Sequence, residues 1–122
     1  MAGAKRTQHE SILQRGLIRD LRAMGFVAVH VPNGTLLAGN PDQRARQGAR
    51  LKADGMMPGF PDLLVYGSQG RVGHIEVKSE GNYQQDTQKA CQAMLQTMGH
   101  NYAVCRSAAD LVETLQAWGW VK

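Results

Sequence analysis

Hydrophobic and polar positions change period several times along the chain, and the sharpest change lies near its middle. Leu63 to Tyr66 is a short apolar, β-prone run, and His74 to Lys78 alternates polar with apolar, with the turn-forming Gly67-Ser68-Gln69-Gly70 between them. The pattern predicts a β-hairpin. Side chains of a strand point alternately to opposite faces, so His74, Glu76 and Lys78 share one face while Ile75 and Val77 take the other. Upstream, Leu13, Leu17, Leu21 and Met24 recur at spacings of three and four behind Thr7, which predicts a helix closed by Gly25. Arg15, Arg19 and Arg22 ride away from that stripe. Phe26 to Val31 reads as a short buried strand, followed by turn chemistry at Pro32-Asn33-Gly34. Downstream, a helix from Gln84 to Met98 turns Cys91, Met94, Leu95 and Met98 inward. Tyr102 to Arg106 is a further strand, and Ser107 caps a last helix carrying Leu111, Leu115 and Trp118, with Trp120 closing the chain. Both tryptophans are expected in a core or an interface rather than as nucleotide platforms.

From Thr35 to Gly55 the periodicity fades. A flexible Leu-Ala-Gly-Asn-Pro segment leads into Asp42 to Asp54, the densest basic run of the chain, with Arg44, Arg46, Arg50 and Lys52. It has no interleaved aromatics, which favours sequence-independent contact with backbone phosphates over stacking on unpaired bases. A solvated helix with scattered charge fits the same residues. The order of elements (helix, strand, basic segment, two strands, helix, strand, helix) predicts an α/β fold with a mixed central sheet flanked by helices.

The chemistry gathers in the hairpin. If it closes symmetrically about Gln69, Asp62 lies opposite Glu76, and cross-strand neighbours have Cβ atoms about 4.5–5.5 Å apart. A slip by one residue would put them on opposite faces. Two facing carboxylates repel, and a hard cation taking oxygen ligands from both, most simply Mg2+, relieves this. Lys78, on the same face, is placed to hold a water or to oppose charge on a phosphate under attack. The plain alternative is a solvent-facing strand with ordinary charges outward.

Three further polar positions accompany this group. Glu10 falls within about 20° of Leu17 on the helical wheel, on the core side. Thr7-Gln8-His9-Glu10 also fits a capping box, a role that need not exclude one at a site. Gln88 precedes Cys91 by three residues and therefore lies on the inward side of its helix, close to Lys78. His30 and Asn33 border the same region, where a paired histidine and an ordinary turn asparagine are the simpler readings.

Pro61-Asp62 followed by Glu76-Val77-Lys78 matches the PD-(D/E)xK nuclease pattern. With Gly59-Phe60-Pro61-Asp62-Leu63, the Ile75-Glu76-Val77-Lys78 strand, Gly81, Gln88 and the strand from Gly99 to Arg106, the chain resembles the virus-type replication-repair nuclease family, VRR-NUC, from Glu10 onward. The resemblance implies a restriction-endonuclease-like core forming one domain over residues 1–122. It implies a metal-dependent, structure-selective DNA endonuclease with Asp62, Glu76 and the Val77 carbonyl as ligands for Mg2+, Mn2+ substituting. Lys78 would assist the attacking water, with Glu10 an additional acid and Gln88 orienting the lysine, a water or a phosphate. The family usually shows a serine three residues before this glutamine, where Gln85 stands here. Stand-alone members look like dimeric resolvases of branched DNA, so the expected partners are branched double-stranded DNA, a Holliday junction in particular, and a second copy of the chain. A catalytically idle DNA-binding module and an RNA-directed nuclease are the rival readings.

Composition fits without deciding. At 122 residues one domain buries about two thirds of the surface its unfolded chain exposes. Fourteen Lys and Arg against ten Asp and Glu give a formal charge of +4, which favours a polyanionic partner. Cys91 and Cys105 are expected as free thiols facing a core, and neither CxxC nor clustered histidines suggest zinc. Met1 to Arg6 is expected to be a disordered basic tail. With no secretory signal, membrane span or small-molecule cofactor motif, the expectation is an intracellular, cytoplasmic protein of a bacterial or virus-infected cell.

Overall fold

The computed structural model describes residues 8–32 and 37–122. In chain order its elements are α1 (Gln8–Ala23), β1 (Val27–His30), α2 (Pro41–Ala53), β2 (Leu63–Tyr66), β3 (Val72–Val77), α3 (Asp86–Thr97), β4 (Asn101–Cys105) and α4 (Ala108–Ala117). The apolar runs flanking Gln69 pair as an antiparallel hairpin, Leu63 opposite Ile75 and Tyr66 opposite Val72, so the ladder is symmetric about Gln69. The turn puts Gln69 at φ 62° and Gly70 at φ 75°, left-handed values that glycine takes without steric cost. The sheet order is β1-β2-β3-β4, antiparallel at the first two pairings and parallel between β3 and β4, which α3 connects as a crossover. This is a mixed α/β sheet with its hairpin in the centre.

Strand alternation divides the core in two. On one face Leu63, Val65, Ile75, Val77 and Cys105 pack against Leu17 and Leu21 of α1 and Leu111 and Leu115 of α4. Trp118 lies over Gly73, where a Cβ would collide with its ring, and Trp120 packs in tilted contact with Trp118 and Phe26, ring centroids 5.0 and 5.5 Å away. Both tryptophans are therefore core residues. On the other face α3 lays Cys91 and Leu95 against Tyr102. The two thiols are free and sit in separate clusters. Ser107 caps α4 as its sequence requires, its Oγ accepting from Asp110 N at 3.1 Å.

Several positions read as inward are not. Met24, Met94 and Met98 are 40%, 38% and 66% exposed, and Val27 and Val29 of β1 are 58% and 42% exposed. The cause is coverage: α3 packs over β4, so among the described residues no helix lies above the β1 end of that sheet face, and only Ala28 of the edge strand is buried. Residues 41–53, where apolar periodicity failed, are nevertheless helical. Asn40 Oδ1 accepts from Gln43 N and Gln43 Oε1 from Asn40 N, both at 2.8 Å, and Pro41 opens the first turn. Among the described residues no other helix or strand packs against α2, which buries no residue. It is tied back at Ala38, whose carbonyl accepts from Gln47 Nε2 at 2.7 Å. Among the described residues no helix is long and apolar enough to cross a membrane.

Candidate active site

Asp62 reaches its place through a stiff approach. Pro58-Gly59-Phe60-Pro61 presses on the start of α3. Gly59 has φ 80°, and a Cβ there would run into the Thr87 carbonyl and come within 2.7 Å of Gln88 N. Glycine is required on both counts. The Asp62 carbonyl then accepts from Val31 N at 2.8 Å and from His30 Nδ1 at 3.1 Å, while its carboxylate Oδ2 accepts from Val77 N at 2.8 Å. The ladder itself ends at the Leu63–Ile75 pair, and extending its register by one step sets Asp62 across from Glu76. His30 is thus a paired histidine on the backbone of Asp62. Asn33 lies outside the described residues.

The polar face of β3 is not a solvent face. His74, Glu76 and Lys78 are 5%, 2% and 7% exposed, which removes the reading of ordinary outward charges. A buried carboxylate needs charge and hydrogen-bond compensation. Glu76 Oε2 lies 3.8 Å from Lys78 Nζ and accepts from Gln88 Nε2 at 2.8 Å. The Gln88 amide has a fixed sense, because its Oε1 accepts from Gln85 N at 2.8 Å and the NH2 end must then face the carboxylate. Gln88 therefore serves Glu76 rather than Lys78, from the first turn of α3. Gln85, in the place of the serine, stands at the N-cap position of that helix.

The charge of Glu76 is felt by its neighbours. Burial chiefly, and then the Glu76 carboxylate, push the Tyr102 phenol and the Cys91 thiol above their ordinary ranges. His74 is pushed down by burial, against a hydrogen bond from Nδ1 to the Asn101 carbonyl at 3.0 Å. None of these three offers a second charge to the pair.

Glu10 is buried, 7% exposed, as its place on the α1 stripe requires. Its Oε1 accepts from Asn82 Nδ2 at 3.0 Å and Ser79 Oγ at 3.4 Å, so it fastens the loop that leaves Lys78. Arg106 grips the same loop, donating to the carbonyls of Asn82 and Ser79, the latter at 2.9 Å. Thr7, the other half of the expected capping box, lies outside the described residues. Ser79 and Asn82 carried no periodic signal that could have singled them out. Gln14 did: it is 8% exposed and, with Glu10, Leu17 and Leu21, completes one stripe at spacings of four, three and four. Arg44, Arg46, Arg50 and Lys52 are not gathered at this centre. All are on α2, and among the described residues none has an ion-pair partner.

The donor set suits a hard divalent cation. Asp62, Glu76 and the Val77 carbonyl offer only oxygen, and Mg2+ ordinarily takes one or two carboxylates from the protein. Among the described residues no three His, Cys, Asp or Glu side chains form a metal-binding group.

Comparison with known proteins gives the family and the fold. The VRR-NUC domain family matches residues 8–109. A solved structure described as a "VRR_NUC domain" superposes with a TM-score of 0.66 at 18% identity, covering 92% of this chain and 99% of the other. A second, a "VRR_NUC domain protein", gives 0.62 at 21% identity, covering 93% and 90%. Among curated protein sequences none matches significantly. Because the Gln88 bond compensates a buried carboxylate, Gln88→Ala is expected to lower unfolding free energy by about 1–3 kcal/mol in urea denaturation. An unchanged midpoint would show the contact to be incidental.

Proposed function

The chain belongs to the VRR-NUC family of nuclease domains, and from that premise we propose that it is a divalent-metal-dependent DNA endonuclease acting on branched duplexes. The observation that carries this reading is Glu76, a carboxylate 2% exposed, opposite Asp62 and flanked by Lys78 and Gln88. A fold stabilised by apolar burial alone would have no use for three ionisable groups there.

In this proposal Asp62, Glu76 and the Val77 carbonyl hold Mg2+ or Mn2+. When bound, the cation supplies Lewis-acid polarisation of the phosphoryl oxygen. Gln88 keeps the Glu76 carboxylate in one orientation, and Val77 N does the same for Asp62. Lys78 holds the attacking water and opposes the negative charge growing on the phosphate. The water oxygen forms a new bond to phosphorus and gives up one proton to solvent, one ester P–O bond breaks, and the departing oxygen takes a proton from solvent. Glu10 acts by fixing the loop after Lys78.

Substrate binding falls to separate groups. Arg44, Arg46, Arg50 and Lys52 on α2 suit backbone phosphates because, among the described residues, none of them is held in an ion pair. One site per chain cuts one strand, so symmetric incision of a four-way junction calls for a two-fold homodimer. That combination, a dimeric Holliday-junction resolvase, is the specific form proposed.

Two results are expected. Lys78→Ala, checked for folding by circular dichroism, loses Mg2+-dependent cleavage of a four-way junction by at least about a hundredfold while its gel-shift affinity stays within a few-fold. Loss of binding in step with cleavage would contradict this division. Replacing Arg44, Arg46, Arg50 and Lys52 by Ala flattens the slope of log affinity against log salt by up to about 3.6, at roughly 0.9 per phosphate contact, and an unchanged slope removes α2 from the interface.

A further inference from the structure

A groove of about 620 Å³ runs along the free edge of β4, between the loop that follows Lys78 and α4. Its floor is Val104, its mouth carries Tyr83, and Lys89 of α3 stands at its side. Val104 is the register partner of Glu76, so the groove begins one strand over from the buried carboxylate, and adjacent strands lie about 4.7–4.9 Å apart. It is not the pocket of the acids themselves.

Tyr83 is 77% exposed, a high value for a large aromatic side chain. Yet its ring is backed. The Arg106 guanidinium stacks 5.4 Å from the ring centroid and is itself anchored on the Ser79 and Asn82 carbonyls. One ring face is held by a fixed cation while the exposure leaves the other to solvent. Gln84, next in the chain, is turned inward to donate to the Tyr102 hydroxyl at 3.3 Å, so the tyrosine stands on a loop pinned on both sides. A pre-oriented aromatic face, a neighbouring ammonium group and a groove of nucleotide size form the chemistry of a stacking platform.

We propose that this groove binds one unpaired nucleobase, stacked on Tyr83, with its flanking phosphate toward Lys89. The proposal rests on the nucleic-acid reading above and deepens it: the protein recognises the unstacked nucleotide that a branch point or flap exposes, one nucleotide's reach from Asp62 and Glu76. Glu113, on the α4 wall, offers an acceptor to an exocyclic amino group, which favours adenine, cytosine or guanine over thymine.

The test is equilibrium binding of the full chain in EDTA, so that it does not depend on cleavage. Two probes are compared, a blunt duplex and the same duplex carrying one unpaired 2-aminopurine, whose fluorescence falls on stacking. Wild type is expected to quench the unpaired probe. Tyr83→Ala should lose the quenching and bind that probe about tenfold more weakly with the blunt-duplex affinity unchanged, and Tyr83→Trp should retain both properties. No quenching by wild type, no effect of Tyr83→Ala, or an equal loss on both probes would overturn the proposal. Stacking without any Mg2+-dependent incision would leave it standing and count against the nuclease reading alone.

Discussion

A carboxylate buried in the central hairpin is the constraint around which this fold is arranged. Glu76 has no access to bulk water, so its charge must be met by the protein, and each partner comes from a different part of the chain. Lys78 follows on the same strand face, Gln88 comes from the crossover helix, and Asp62 closes the opposite strand by accepting from Val77 N. The parallel pairing of β3 with β4 is what demands the crossover, and the crossover is what brings Gln88 over Glu76. Topology and electrostatics thus support each other here.

A second polar network secures the exit of that strand. Glu10 from α1 and Arg106 from the end of β4 hold the loop at Ser79 and Asn82 from two sides, so elements on both sides of the sheet fix the direction in which Lys78 leaves its ladder. Lys78 N donates to the Cys105 carbonyl at 3.2 Å, which continues the β3–β4 pairing past Val77. Such a frame holds charged side chains on rigid backbone, the condition for electrostatic work without reorganisation. α2 has the opposite character, cationic and unpacked, and its solvation leaves it able to meet a polyanion at little desolvation cost.

Much of this was legible in the residues. Symmetry about Gln69 gave the register that sets Asp62 opposite Glu76, and the wheel position of Glu10 gave its burial. Ser107 and Gly25 mark helix ends correctly. What sequence could not give was coverage. Alternation shows that His74, Glu76 and Lys78 share a face, but only tertiary packing shows that it is covered, Phe60 and His100 lying against His74 and Gln88 bonding Glu76, and the same ignorance made Met94, Met98, Val27 and Val29 look buried. α2 stayed one of two readings of the basic run because a helix that buries nothing has no apolar period, although Asn40-Pro41-Asp42-Gln43 carries a capping signature. Tyr83 was passed over as a loop residue, since its value depends on Arg106, 23 positions away in the chain and adjacent only in the fold.

The most direct measurement is calorimetric titration of Mn2+ into the wild-type chain and into Glu76→Gln, a near-isosteric change that keeps the hairpin and removes the charge. Saturable binding by wild type, lost in the variant while its circular dichroism is unchanged, is the result that a cation held between Asp62 and Glu76 requires. Equal heats from the two proteins, or none from either, would contradict it.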